Sequence, residues 1–561
     1  MTGVSFSPII SERVLKRRDY PVFILLSMLS LFAIGIFLLH WFSYQDWLAY
    51  PVSFSLMTLS LLAILLNHQG RWFLLLSMSK PKPVAPSAGL KVAVVTTFVP
   101  GAEPLEMLEQ TVKALVTLDY PHDTWVLDEG DDEGVKSLCL KLGAKHFSRK
   151  NLSRYRTDDG TFQRRTKHGN YNAWFHDIGF GAYDIISIFD PDHIPSSNFL
   201  TSTLGYFDDP KVAYVQVAPS YYNRNASLIA RGAAEETYEY YSVVQMASYR
   251  MGYPILVGSH NTHRVAALKQ VGGFPAHDAE DLLLTLRYQA SDWQGVYIPK
   301  ILARGLTPVD WVGYLRQQRR WARSVLDIKV RRYFEFSRNL SAKGRLMSVL
   351  HGLNFLHKSM LIFLGLILTS FMLATGSTPG VVSYPTIQMI TVVWLVLQVC
   401  EFYRQRFYLD PRNEWGFHWR VALLQYAKWP WFLLALFDVL FSRRLSYALT
   451  PKVKGKSRDH LLLLPNLLVV ILLCSAWLVG QSLGSAVHPV VYTCALLFVI
   501  ASMILIWTDF WDFPAPFQKP LQMTAGLDGI TVSAAEQPES PSPFVKEKIA
   551  GDGEDKVSSV T

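Results

Sequence analysis

Cysteine is scarce in this sequence, at four in 561 residues, and no two of them form a CxxC pair. That excludes a disulfide-stapled scaffold and a cysteine zinc site. Cys400, Cys474 and Cys494 fall in apolar runs, and Cys139 alone lies in the more polar middle of the chain. A GxGxxG fingerprint and a Walker P-loop are both absent, which argues against a dinucleotide enzyme or an ATPase. Lys, Arg, Asp and Glu are missing altogether from Phe23 to Phe42 and from Val52 to Leu66. Each run, with its flanking residues, is about long enough to cross a ~30 Å hydrocarbon core, so each is read as a transmembrane helix. The first is too long for a signal-peptide core and a second span follows closely, so it is read as retained.

Further apolar stretches follow late in the chain: Phe355 to Thr375, Val382 to Cys400, Val421 to Leu440, Leu461 to Gly480 and Val490 to Trp507. Arg13, Lys16, Arg17 and Arg18 precede the first helix, whereas the loop from Tyr44 to Tyr50 has no Lys or Arg. The positive-inside rule then puts the N-terminus and the central segment in the cytoplasm, and the membrane expected is the plasma (inner) membrane. The Val421 stretch has basic residues at both ends and contains Lys428 and Pro430, so it reads as re-entrant or interfacial. That gives six spans and a cytoplasmic C-terminus; a seventh span would put the tail outside. The formal charge of +9 is concentrated on the cytoplasmic flanks, which suits anionic lipid rather than nucleic acid.

Between residues 90 and 332 the hydropathy falls and the pattern alternates between strand and helix. The division predicted is 1–89 with two transmembrane helices, 90–332 as one α/β domain, 333–511 as transmembrane and interfacial helices, and 512–561 as a disordered tail rich in Pro, Ser and charge. Lys91 to Thr97 is a β-branched run. Trp125-Val126-Leu127 runs into Asp128, and Asp184 to Phe189 runs into Asp190, so two apolar strands end in carboxylates. Open parallel sheets bind ligands at the carboxyl ends of their strands.

Asp190-Pro191-Asp192 supplies two hard oxygen ligands for Mg²⁺ or Mn²⁺ against a diphosphate, or else forms an Asx turn before Pro195. Asp128 and Glu129 open an acidic turn that either contacts a nucleoside or is simply solvated. Ala279-Glu280-Asp281 precedes Leu282-Leu283-Leu284, which makes Asp281 a helix cap or a general base with Glu280 raising its pKa. Gln317-Gln318-Arg319-Arg320-Trp321 is a QxxRW pentad: an amide, a planar cation and an indole on one helix. It suits a diphosphate and a sugar ring, or else an interfacial helix.

Taken in order, these motifs resemble the membrane-integrated, inverting family 2 glycosyltransferases of the cellulose, chitin and hyaluronan synthase group, over roughly Lys91 to Lys456. The resemblance implies a GT-A-type α/β domain inserted between transmembrane helices. Asp128 matches the first aspartate of a DDG-like motif that contacts uridine, with Glu129 at the second position. Lys167-His168-Gly169-Asn170-Tyr171-Asn172 is similar to a KxGNxN donor segment, and Asp190 and Asp192 match the metal-binding DxD. Val215-Gln216-Val217-Ala218-Pro219 resembles a VQTPQ strand without its last Gln. Gly258-Ser259-His260 corresponds to an acceptor-side Gly-Thr/Ser segment, and Val257 stands in place of the cellulose synthases' cysteine. Ala279-Glu280-Asp281 matches TED with the Thr lost, and keeps Asp281 as the base. Gln317 and Arg320 then meet the diphosphate and Trp321 stacks under the acceptor sugar. Tyr447 to Lys452 is similar to an FxVTxK gating loop, which brings Thr450 and Lys452 to the donor. The implied reaction joins sugar units from a UDP-sugar, glucose first and N-acetylglucosamine second, to a growing β-glycan. A glycolipid synthase adding one sugar, and a transporter or scaffold that only binds nucleotide, are the alternatives.

Overall fold

The computed structural model describes residues 9–443 and 460–510. The gating-like segment with Thr450 and Lys452, and the tail 512–561, lie outside the described residues.

Two long helices come first, α1 (Tyr20–Ser43) and α2 (Pro51–Phe73), each with proline in its first turn, where a missing N–H costs no intrahelical bond. The 24 residues of α1 reach about 36 Å at the usual helical rise. The chain then builds a seven-stranded sheet from β1 (Val92–Phe98), β2 (Asp123–Asp128), β3 (Lys145–Phe147), β4 (Ile185–Phe189), β5 (Val212–Ala218), β6 (Asn261–Arg264) and β7 (Gln294–Ile301). Their order across the sheet is β7-β5-β6-β4-β1-β2-β3. Only β6 runs antiparallel to its neighbours. Strands β4 and β5 are buried along their whole length, as expected of a sheet covered on both faces.

One face packs against α3 (Lys167–Trp174) and its surroundings through Tyr171, Trp174, Phe175 and Phe274. The other carries Phe189, Phe199, Leu204 and Phe207. Each such side chain, fully withdrawn from water, contributes about 1.5–3 kcal/mol. The GT-A-type α/β sheet expected from the motifs is therefore present, flanked, among the described residues, by six helices long and apolar enough to cross a membrane.

Further along, the chain forms α4 (Leu228–Glu239), α5 (Glu280–Ala290) and α6 (Trp311–Asp327). Asp310 caps α6 by accepting from the Gly313 N–H at 2.7 Å. The expected interfacial stretch is α7 (Trp419–Leu440), which is not one of the six candidate spans. It buries Lys428, Pro430 and Asp438. Lys428 Nζ donates to Glu236 Oε1 on α4 at 2.8 Å, Tyr314 of α6 donates to Glu236 Oε2 at 2.6 Å, and Arg319 of α6 donates to Asp438 at 2.6 Å. A buried charge stripped of its partner costs several kcal/mol, so these pairs hold α7 against the domain.

Candidate active site

Because β1, β2, β4 and β5 run in one direction, their carboxyl ends share an edge, and the reversed β6 begins there. The loops at 128–132, 190–193 and 257–260 therefore converge at that edge. Asp192 is fully buried, and its Oδ2 accepts from the Leu306 N–H at 3.1 Å. Ser259 Oγ accepts from the Asp190 N–H at 3.0 Å and lies 2.7 Å from His193 Nδ1. Asp190, Asp192 and His193 each bring a ligating atom to within 4.8 Å of the others. Two carboxylates and an imidazole are a donor set that fits Mn²⁺ well and Mg²⁺ adequately. His193 was not singled out in the sequence, although it directly follows the DxD.

Gly305 presses against this corner. A Cβ there would fall 1.6 Å from His193 Cδ2. Its backbone cannot yield, since its N–H donates to Ser220 O at 2.8 Å and its carbonyl accepts from Tyr222 N–H at 3.1 Å. Gly305→Ala must therefore displace the imidazole. Mn²⁺ titration followed by electron paramagnetic resonance is expected to show affinity weakened about tenfold or more, with the melting temperature checked in parallel. Unchanged affinity would remove His193 from the ligand set.

Lys167, the first residue of α3, joins this corner to the next. Its Nζ donates to Asp190 Oδ1 and to Gly258 O, both at 2.6 Å, and lies 3.8 Å from Glu280 Oε1. Burial alone would push the ammonium pKa down, but the charges of Asp190 and then Glu280 hold it well above the ordinary lysine value. The other motif residues of α3 brace the fold. Asn170 donates to Leu127 O, and Asn172 both donates to Phe274 O and accepts from its N–H. Gly169 permits close approach: a Cβ there would meet Gln163 O at 2.2 Å.

Glu280 and Asp281 open α5. Burial pushes Glu280 up to about 7 against the pull of Lys167, and the Asp281 charge adds to the rise. Burial likewise raises Asp281, opposed by the Leu282 N–H that donates to its Oδ1 at 2.7 Å. Gly258 lies between Lys167 and Asp281: a Cβ there would sit 3.5 Å from Lys167 Nζ and 3.7 Å from Asp281 Oδ2.

Gln216 of β5 sets the shape of the 257–260 loop. Its amide donates to Ser259 O at 3.0 Å, and its Oε1 accepts from the Val257 N–H at 2.9 Å. His260 differs from the acceptor-side role expected of it. It is fully buried, adopts φ +57°, and packs its ring edge-on to His193 at 4.4 Å between centroids. Burial holds its pKa well below that of a free histidine, so it supports the carboxylate corner from beneath as a neutral ring.

Residues 93–324 match the family described as glycosyltransferase like family 2. The chain carries a family 2 glycosyltransferase domain. Cellulose synthase 2 of Novacetimonas hansenii is 28% identical over 260 residues, which are 44% of this chain and 15% of that protein. The UDP-forming cellulose synthase catalytic subunit of Xanthomonas axonopodis pv. citri is 28% identical over 260 residues, 44% of this chain and 34% of that one. This chain thus spans 15% to 34% of these relatives' length. Among solved structures, a mannosyltransferase from Pyrobaculum calidifontis in complex with GDP-Man and Mn²⁺ aligns with a TM-score of 0.47 and 16% identity, covering 70% of this chain and 99% of that one.

Within the glycosyltransferase domain, Asp190, Asp192, Lys167, Gly258, Ser259, Glu280 and Asp281 come together. Asp128 and Glu129 are engaged in a different way from that expected. Asp128 is fully buried and accepts from Gly130 N–H at 2.8 Å and Asp132 N–H at 2.5 Å, so it closes its own turn. Glu129 is clamped by buried Arg149 through Nε at 2.8 Å and Nη2 at 2.9 Å. That guanidinium also donates to Tyr155 O, Phe162 O and Gln163 O, which fixes the 153–165 loop. On α6, Gln317 and Arg320 are half-buried and Trp321 is exposed, while the intervening Arg319 turns to α7.

Proposed function

We propose that this protein is an inverting, processive glycosyltransferase that polymerises sugar from a UDP-sugar, glucose favoured over N-acetylglucosamine, into a β-linked glycan and passes it across the plasma membrane. The observation that carries the reading is Lys167, a single cation shared by the DxD corner and the Glu280–Asp281 turn. A site that transfers a glycosyl group needs both within one reach: anchorage for a diphosphate and a base for the incoming hydroxyl. The relatives named as cellulose synthases and the six apolar helices support the polymer and its passage.

Asp190, Asp192 and His193 would hold Mg²⁺ or Mn²⁺, which when bound neutralises charge developing on the departing diphosphate. Lys167 supplies a second positive charge to the diphosphate, with Arg320 and Gln317 assigned to its other side. Asp281 takes the proton from the acceptor hydroxyl. The hydroxyl oxygen bonds to the sugar C1 as the C1–O bond to UDP breaks, which turns an α-linked donor into a β-linked product. Trp321, exposed on α6, offers a stacking face for the acceptor ring. Gly258 and Ser259 line the acceptor side, and Thr450 and Lys452 are assigned to closure over the donor.

Incubating the purified protein with radiolabelled nucleotide sugars and Mn²⁺ or Mg²⁺, followed by linkage-specific hydrolase digestion, tests this. Long β-linked product with equimolar UDP is expected. A single-sugar lipid product would move the assignment to glycolipid synthesis, and no turnover of any UDP-sugar would sink it.

A further inference from the structure

Ala279 occupies the position where the TED pattern has threonine, and a methyl group accepts no hydrogen bond. As the residue preceding α5, Ala279 makes no side-chain cap. The turn is braced from two residues earlier instead. The Ala279 N–H donates to Nδ1 of His277 at 3.0 Å. With Nδ1 accepting, the ring proton belongs on Nε2, which donates to Asp327 Oδ2 at 3.1 Å. Asp327 is the last residue of α6, the helix that carries Gln317 to Trp321.

The neighbouring residues repeat the connection. Asp278 Oδ2 lies 3.7 Å from Nη1 of Arg323, one turn back along α6 from Asp327. Arg331 Nε lies 3.4 Å from Asp327 Oδ1, so the aspartate is steadied on its other oxygen as well. His277 and Asp327 keep only 11% and 17% side-chain exposure, so water competes poorly for the bond between them.

We propose that His277 and Asp327 are positioning residues, a rigid bridge through which the helix bearing Gln317–Trp321 sets the orientation of the Glu280–Asp281 turn. The imidazole acts as a two-ended strut, accepting at one nitrogen and donating at the other, and takes over the bracing that Ala279 cannot provide. The bridge rests on the reading of Asp281 as base. Lys167 and the Asp190–Asp192 corner are not members of the bridge, so the chemical step should suffer more than donor binding.

Misplacing a base by about 1 Å costs roughly 10²-fold in rate. Water needs less orientation than a sugar hydroxyl, so a slack turn favours hydrolysis of the UDP-sugar over transfer. The partition between the two does not depend on how much of the preparation is folded. With the full-length protein in lipid nanodiscs, His277→Ala is expected to lower kcat and shift the partition toward hydrolysis by about tenfold, with the donor KM within about twofold of the parent. Asp327→Ala is expected to match it, the double variant to add little, and Asp327→Asn, which keeps an acceptor oxygen, to recover most of the transfer. His277→Asn can still accept from Ala279 N–H but cannot reach Asp327, so it should behave as His277→Ala. Fully multiplicative single variants, or an unchanged partition in His277→Ala, would overturn the bridge. Asp281→Asn, run alongside, separates the two readings. If it is inactive while His277→Ala partitions as the parent does, the bridge alone fails; if it is fully active, the base assignment fails first.

Discussion

Asp281→Asn is expected to lower kcat for UDP release by about 10²–10⁴-fold, the usual range for removing a positioned proton acceptor. The substitution is nearly isosteric and its amide oxygen can still accept from the Leu282 N–H, a bond of 2.7 Å in the parent. Folding and donor KM should therefore change little, and the loss should sit in kcat. Glu280 adds a pH signature. Burial pushes it up to about 7, and when it is ionised its charge makes Asp281 a stronger base. As pH falls through about 7, Glu280 takes up a proton, Asp281 weakens as a base, and kcat/KM drops. Glu280→Gln fixes the neutral state, so the profile should lose that step and stay at the low-pH level. Because the two carboxyls titrate as a pair, profiles of both variants between about pH 5.5 and 9 are needed to assign the step. An Asp281→Asn enzyme with parental kcat would discard the mechanism.

Lys167→Met should act in two opposed directions. The diphosphate loses its ammonium, and with it an electrostatic contribution to the transition state. A fall in kcat/KM of at least about 10²-fold is expected. Yet Lys167 also occupies Asp190 Oδ1 at 2.6 Å, an oxygen a divalent ion needs. Removing the ammonium takes a competing cation from that oxygen and leaves more negative charge at the corner, so Mn²⁺ should bind more tightly, by about tenfold. Mn²⁺ titration by paramagnetic resonance, without donor, reads this directly. Weaker or unchanged Mn²⁺ binding would contradict the competition for Asp190.

Much of the edge was legible because strands ending in carboxylates announce themselves: the apolar runs before Asp128 and Asp190 are continuous, and a sheet covered on both faces permits little else. What the side chains then do was harder to read. Asp128 and Glu129 look alike from outside, two acids after a strand, but one closes its own turn and the other meets Arg149, twenty residues on. The partners of Asp128 are the amides of its own turn, whereas no local pattern announces Arg149 for Glu129. His260 follows Gly258-Ser259 and is expected on the acceptor side, but with a φ of +57° its ring is fully buried beneath the corner. His193 carried a signal, since it is contiguous with the DxD, but a histidine after two acids is common enough to pass unnoticed. Lys428, Pro430 and the basic residues at its ends set α7 apart from the apolar spans in the sequence, whereas its pairing with Glu236 joins segments 192 residues apart.

That distance in sequence has a consequence for how the protein comes to exist. Asp190 is fixed by Ser259, 69 residues later, Lys167 by the Gly258 carbonyl, 91 residues later, and Asp192 by the Leu306 amide, 114 residues later. Closing such loops is slow, because the ordering entropy is spent before the contacts repay it. During synthesis the whole DxD turn leaves the ribosome more than a hundred residues ahead of the amide that secures it. A nascent chain halted before Leu306 would contain both aspartates and the lysine and still hold no finished site, so a late stretch of the domain completes a much earlier one.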